Sequence, residues 1–180
     1  RLACEMVQNG RIGIVHTVHV NVGGPSVECY LPEEPVPEGL EWDFWLGPAP
    51  WRPYNSDIAP GLDYQGWPNF RAYRAYSGGG MTDWGAHHFD IAQWALDADD
   101  TGPVETEGWG QFMKDGLFDT AESWEVEHRY ANGVTLVHTD MPNALKRAWQ
   151  FRLHWMSMLF LGTEGWIHVS RDSFHADPPS

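Results

Sequence analysis

The chain has 180 residues, enough for one domain with a substantial hydrophobic core. Its formal net charge of −14 speaks against a nucleic-acid or anionic-membrane partner, because neutralising phosphates requires basic clusters that this sequence lacks. No run approaches the roughly 20 apolar residues of a membrane-spanning helix, and Cys4 and Cys29 form neither a disulfide framework nor a metal spacing.

Residues 2–9 read as the end of a helix stopped at Asn9-Gly10. Residues 12–22 follow as a strand rich in Ile, Val and Thr, in which His16 and His19 are ordinary strand residues rather than ligands. From 23 to 69 glycine, proline and acidic residues dominate, and prolines at 32, 35, 37, 48, 50, 53, 60 and 68 forbid long regular elements, leaving one short helix over 42–46. Ordered loops of this length are usually functional. The segment is therefore read as a wall of a substrate cleft, with a cover over the sheet edge or a subunit contact as the alternative. Eleven tryptophans suit a carbohydrate ligand, since indole faces stack on the C–H faces of sugar rings. Trp42, Trp45, Trp51 and Trp67 lie in these irregular segments, where core packing is less expected.

The stretch from Ser77 to Leu96 carries the chemistry. Gly78, Gly79 and Gly80 open backbone angles closed to other residues and let a ligand approach the main chain, and Thr82 or Asp83 is expected to cap the helix that follows. At about 100° per residue, Asp83, His87, Asp90 and Trp94 share one stripe, while Phe89, Ile91, Ala92, Ala95 and Leu96 cover the other side. An imidazole takes up and returns a proton near neutral pH. Asp83, one turn before His87, is within reach to orient the ring or to hold a substrate hydroxyl. An ordinary surface helix with i, i+4 pairing is the plainer reading of the same spacing. No metal is expected, because adjacent His87 and His88 point about 100° apart and cannot easily share an ion.

Downstream, residues 104–112 and 123–130 read as strands, the second alternating Trp124, Val126 and Tyr130 against Glu125, Glu127 and Arg129. Asn132-Gly133 predicts a two-residue type I′ turn returning as 134–141. Residues 150–161 and 166–169 form another hairpin around Gly162-Thr163-Glu164-Gly165. Consecutive hairpins predict an α+β fold: an open, mainly antiparallel β-sheet with helices packed on one face. The other face is expected to be partly solvated or to meet another subunit, and the apolar content of 134–141 and 150–161 favours self-association. Lys114 sits with Asp115, Asp119 and Thr120 in a connection between strands, where a lysine is normally solvated rather than catalytic.

The pattern Gly78-Gly79-Gly80-x-x-Asp83-x-Gly85-x-His87-x-x-Asp90, continued by Trp94-Ala95-Leu96, resembles the C-terminal domain of the Gfo/Idh/MocA oxidoreductases. Further segments resemble the same family: Glu41 to Asn55, Asp100 to Glu105, Tyr130 to Val134 and Gly162 to Ile167. The resemblance implies hydride transfer between a sugar or polyol hydroxyl and NAD or NADP. The family uses a lysine from a nucleotide-binding domain with an aspartate and a histidine that match Asp83 and His87. On this reading Gly79, Gly80, Trp84, Asp90 and Trp51 contact the substrate, and subunits pack through the open sheet face as a homo-oligomer. The family's lysine lies in a Glu-Lys-Pro motif, and its dinucleotide fingerprint is Gly-x-Gly-x-x-Gly; these residues contain neither, so no cofactor-binding residue is assigned. The chain is accordingly expected to be part of a longer protein. Residues 1–10 would be the end of a linker helix from the nucleotide domain, and 11–180 a substrate-binding and oligomerisation domain truncated at its C-terminus. Glycoside cleavage by transient oxidation, and a catalytically silent binding or assembly domain, are the alternative functions.

Overall fold

The computed structural model describes residues 1–23, 30–61, 63–66, 69–112, 114, 118–140, 142–143 and 156–178. Its elements in chain order are α1 (Leu2–Gln8), β1 (Val15–Val22), α2 (Trp42–Leu46), a 3-10 turn (Asn69–Ala72), α3 (Gly80–Ala95), β2 (Pro103–Phe112), β3 (Ala121–Tyr130), β4 (Thr135–Asp140), β5 (Ser157–Gly162), β6 (Trp166–Ser170) and β7 (Phe174–Asp177). The strands form one seven-stranded sheet in the order β2-β3-β4-β1-β5-β6-β7. Only β1 and β4 run parallel; every other neighbouring pair is antiparallel. The long connection through α3 permits that one parallel pairing. The fold is the expected α+β layer. Two details lie outside the sequence reading: residues 150–155 of the strand read over 150–161 are outside the described residues, and β7 was not anticipated.

Period-two alternation decides which residues meet the helices. Val18, Val20, Leu136, Met158, Phe160, Ile167 and Trp124 point to one side, where they form a single buried cluster with Ala3, Cys4 and Val7 of α1 and Ala92 and Ala95 of α3. Each large side chain fully buried there contributes roughly 1.5–3 kcal/mol relative to exposure. The opposite face departs from expectation. Val137 of β4 and Leu159 of β5 are buried within the single chain, as are Asn21, Thr139, Ser157 and His168 beside them in register. Val137 and Leu159 are therefore not available to a second subunit. Solvated character is found at both edges of the sheet: every residue of β2 is exposed with Glu125, Glu127 and Arg129 half-buried beside it, and His175 and Asp177 of β7 are exposed at the other edge.

The β3–β4 turn also differs from the two-residue type expected. Gly133 N–H donates to Tyr130 O at 3.0 Å, Tyr130 N–H donates to Val134 O at 2.9 Å, and only Gly133 has a positive φ, 89°. This is a three-residue loop, a turn over Ala131 and Asn132 closed by a left-handed glycine, which makes Asn132 the second central residue rather than the first, as a type I′ turn would have it. Beyond β4, the carboxylate of buried Asp140 accepts from Ser123 Oγ (2.6 Å), Trp124 N (2.8 Å), Asn143 N (2.9 Å) and Asn143 Nδ2 (2.9 Å), tying the chain past β4 back to β3.

The proline-rich segment has a core of its own. Trp42, Leu46, Tyr54, Ile58 and Ala59 pack with Tyr73 and Phe118. Trp42, only 7% exposed, stacks on Trp45 with centroids 4.9 Å apart and donates from Nε1 to Arg52 O at 2.8 Å. Trp42 is thus a core residue rather than a sugar platform. The proline-broken segment cannot reach the sheet with regular elements, so it buries aromatic area locally instead. Trp67 lies outside the described residues.

Candidate functional site

The helix carrying the Asp-x-x-x-His spacing begins earlier than a threonine or aspartate cap would allow. Gly79, at φ 72°, is the cap, and its carbonyl accepts from the N–H groups of Thr82 (3.2 Å) and Asp83 (3.0 Å); no side chain caps the first turn. Only glycine adopts that left-handed angle without strain, so α3 starts at Gly80 and Thr82 and Asp83 fall inside its first turn. A Cβ on Gly79 would collide with the Thr120 side chain, and one on Gly78 with Thr82. The glycine run is therefore filled by the protein's own threonines and forms no open phosphate cradle.

Along α3 the two faces separate as the periodicity predicts. Gly85, His88, Ala92 and Ala95 are buried, whereas His87, Asp90 and Trp94 are exposed and Asp83, Gly80 and Trp84 are half-buried. Asp83 forms an ion pair with Arg71 of the 3-10 turn, Oδ2 to Nε at 3.1 Å, and the Arg71 guanidinium lies 4.8 Å over the Phe70 ring. The His87 ring lies beside Trp84, centroids 5.6 Å apart at 51°. Across the same indole sits the guanidinium of Arg171, 4.8 Å from the ring centroid. His87 and Arg171 both line a cleft of about 120 Å³ with His88, Ile91, Met158 and Val169 among its walls. Asp90 is exposed on the same stripe. Trp51, 68% exposed, projects from the aromatic loop and belongs to neither buried cluster.

His88 faces the other way, buried against the sheet. Its Nδ1–H donates to the Trp84 carbonyl at 2.9 Å, because a carbonyl can only accept. Beneath the helix, fully buried His138 of β4 lies edge-on to Phe89 (4.7 Å) and Trp124 (5.8 Å). Neither of its ring nitrogens has a hydrogen-bond partner among the described residues. Burial, with smaller contributions from His128 and His88, lowers its pKa to about 3. Burial also lowers that of His128, whose Nδ1 is bonded to Thr106 Oγ1 at 3.0 Å.

Arg71 and Arg171 were missed by sequence reasoning, and Thr120 was named only as part of a strand connection beside Lys114. Each comes from a different connecting segment, so no periodicity links them to α3. The one available signal was the scarcity of cations, 11 against 25 acidic residues, which makes any arginine placed beside the helix informative. Lys114 is exposed, as expected. Among the described residues no group of three or more His, Cys, Asp or Glu side chains converges as a metal site.

The family model described as "Oxidoreductase family, C-terminal alpha/beta domain", of the Gfo/Idh/MocA type, matches residues 22–149. No curated protein sequence matches the chain. Similar solved structures include an oxidoreductase from Thermotoga maritima, with 14% identity, 97% of this chain and 40% of that chain covered, and a TM-score of 0.54. An aldose-aldose oxidoreductase from Caulobacter crescentus, complexed with glycerol, has 14% identity over 97% of this chain and 39% of that one, TM-score 0.53. A WlbA dehydrogenase from Chromobacterium violaceum, in complex with NADH and UDP-GlcNAcA, has 13% identity over 97% and 39%, TM-score 0.53. At these identities the likeness is one of fold. The chain spans about two fifths of the length of each.

Proposed function

Because the chain belongs to the Gfo/Idh/MocA oxidoreductase family, as its C-terminal alpha/beta domain, we propose that it is the substrate domain of an NAD(P)-dependent oxidoreductase acting on a hydroxyl of a sugar or polyol. Residues 11–180 form that domain in this reading, and 1–10 lead into it from a nucleotide-binding domain. The dinucleotide supplies the hydride acceptor when bound. This chain offers it no cradle, since the glycine run is filled by Thr82 and Thr120, so its own part is to hold the substrate and handle the proton. The NADH and sugar-nucleotide complex of the C. violaceum protein and the aldose-aldose oxidoreductase support this choice of cofactor and substrate class.

The observation that carries the reading is the Trp84–His87 pair: an exposed imidazole held beside an indole face at a cleft. A sugar ring laid on that surface would bring a hydroxyl to the imidazole, which accepts its proton as the carbon is oxidised and returns it in reverse. Asp83, fixed by Arg71, would hold a neighbouring hydroxyl. Gly79 and Gly80 shape the turn, and Asp90 and Trp51 are the outer contacts. Self-association through the sheet belongs to the same proposal and is assigned to the β2–β3 side, where all ten residues of the edge strand are exposed.

In the longer enzyme, His87→Ala should lower turnover by about 10² to 10⁴, the range for a lost general acid or base, with cofactor affinity unchanged. His88→Ala, which removes the buried bond to Trp84, should lower stability instead. Greater damage to turnover from His88 than from His87 would sink the assignment.

A further inference from the structure

The sugar site proposed above, on which this inference rests, holds a cation it does not need for a neutral polyol. Arg171 stands at the tip of the turn between β6 and β7, and that turn is tightly held. Ser170 N–H donates to Ser173 O at 2.9 Å, and Ser170 Oγ accepts from the N–H groups of Asp172 (3.3 Å) and Ser173 (3.1 Å) and bonds Ser173 Oγ at 2.8 Å. In a chain of net charge −14, ion pairs among the described residues engage Arg1, Arg71 and Arg129, whereas Arg171 forms no ion pair with a described residue. Its guanidinium instead lies over the Trp84 ring, 4.8 Å from the centroid, beside which His87 also sits, and it lines the same cleft as His87. Across that cleft stands Met156 at φ 52°, a left-handed angle that non-glycine residues hold only when the surroundings impose it, and such residues cluster at ligand sites. Of the other walls, Ile91, Met158 and Val169 are apolar and His88 and Ser170 are polar.

We infer that Arg171 is a specificity-determining residue that takes an anionic oxygen group of the substrate, a sugar carboxylate or a sugar phosphate, while the ring lies against Trp84 and His87. The planar guanidinium offers paired N–H donors that match either group. Stacking on the indole holds the fork in place and limits the rotamer entropy lost on binding. The apolar walls Ile91, Met158 and Val169 reduce competition from water on their side of the cleft, so a charge-assisted contact there discriminates more strongly than on an open surface.

The test is calorimetric titration of the whole protein with glucose, glucuronate, glucose 6-phosphate and inorganic phosphate, using wild type, Arg171→Gln and Arg171→Lys. Glucuronate or glucose 6-phosphate should bind at least about tenfold more tightly than glucose, one charge-assisted contact's worth, and which of the two leads identifies the group. Arg171→Gln should bring the ratio close to one, and Arg171→Lys should retain part of it, since the charge persists without the fork. Equal binding of glucose and both sugar anions, or inorganic phosphate binding as tightly as they do, would overturn the inference. So would a loss in Arg171→Gln that falls on NAD(H) rather than on the sugar anions. The two readings fail separately. Tight, Arg171-dependent binding of a sugar anion that the enzyme never oxidises removes the oxidoreductase proposal alone. Oxidation of neutral and acidic sugars with equal affinity removes this one alone.

Discussion

Gly85 rests on the imidazole of His138: a methyl group at Gly85 would come within 3.2 Å of His138 Cε1. That close approach is one of the contacts, with Phe89, Ala92 and Ala95, that set how low α3 sits on the sheet, and Gly85 lies between Trp84 and His87 in sequence. The height of the exposed imidazole above the cleft is therefore fixed in part from beneath by a buried one.

The first prediction tests that support. Gly85→Ala gains about 1 kcal/mol of helix propensity, but His138 is boxed in by Phe89 and Trp124 and cannot give way. Overpacking of this kind costs about 1–3 kcal/mol, so the net effect should be destabilising. Ala86→Gly, on the exposed side of the helix, should lose only the propensity term. Thermal unfolding of both variants decides: a Gly85→Ala protein as stable as wild type would show that the helix can lift freely.

The buried ring also makes stability depend on pH. His138 is neutral in the folded protein down to about pH 3, whereas in the unfolded chain it titrates near 6.5. Above 6.5 both states are neutral and the group contributes no slope. As pH falls from 6.5 towards 3 the unfolded state binds the proton and the folded state does not, so stability is lost across that window. His128, also lowered by burial, adds in the same direction. Denaturant midpoints measured from pH 7 to pH 4 should fall in wild type and fall less steeply in His138→Leu; parallel curves would refute the assignment.

Much of this arrangement was legible in the sequence. The two faces of α3 follow from its period, and the strands from alternation at Trp124, Val126 and Tyr130. Other features were not legible because they depend on what a residue meets across space. Trp42 sits among prolines, which suggested a loop platform, yet tertiary packing with Tyr54 and Tyr73 buries it. The cap at Gly79 was obscured because Thr82 and Asp83 are better side-chain caps by type, but a left-handed glycine upstream takes the role from them. Val137 and Leu159 alternate as outward residues would, and only the folded chain reveals that their face is closed. The pairing of Asp83 with Arg71, rather than with a residue of its own helix, has no sequence signature at a separation of 12 residues.

That ion pair gives the third prediction. Both partners are partly solvated, so Arg71→Met should cost no more than about 1 kcal/mol of stability, the usual limit for an exposed pair. It releases the Asp83 carboxylate one turn from His87. In the longer enzyme, kcat/KM should fall about tenfold, or about 1.4 kcal/mol of transition-state stabilisation. Unchanged steady-state kinetics in Arg71→Met would remove Asp83's fixed position from the proposed mechanism.

The last prediction concerns association. β2 is an edge strand exposed along all ten residues, with Val104, Trp109 and Phe112 at 69%, 50% and 49% exposure. An unpaired edge with apolar side chains is a template for a second chain. Opposing this, Glu105, Glu107, Glu125 and Glu127 share the face on which Trp109 lies, and Arg129 bridges three of them, to Glu105 at 2.8 Å, Glu127 at 3.6 Å and Glu107 at 3.7 Å. Two copies brought together there repel one another at low salt, and the repulsion is screened as the Debye length falls from about 10 Å at 0.1 M to about 3 Å at 1 M. The apolar contribution persists, so association should strengthen with salt, the opposite of an interface held by complementary charges. Sedimentation velocity at low and high sodium chloride should show a monomer shifting toward dimer, and Trp109→Glu should abolish the shift. A monomer at both salt concentrations, or a dimer that dissociates in salt, would exclude this edge as the interface.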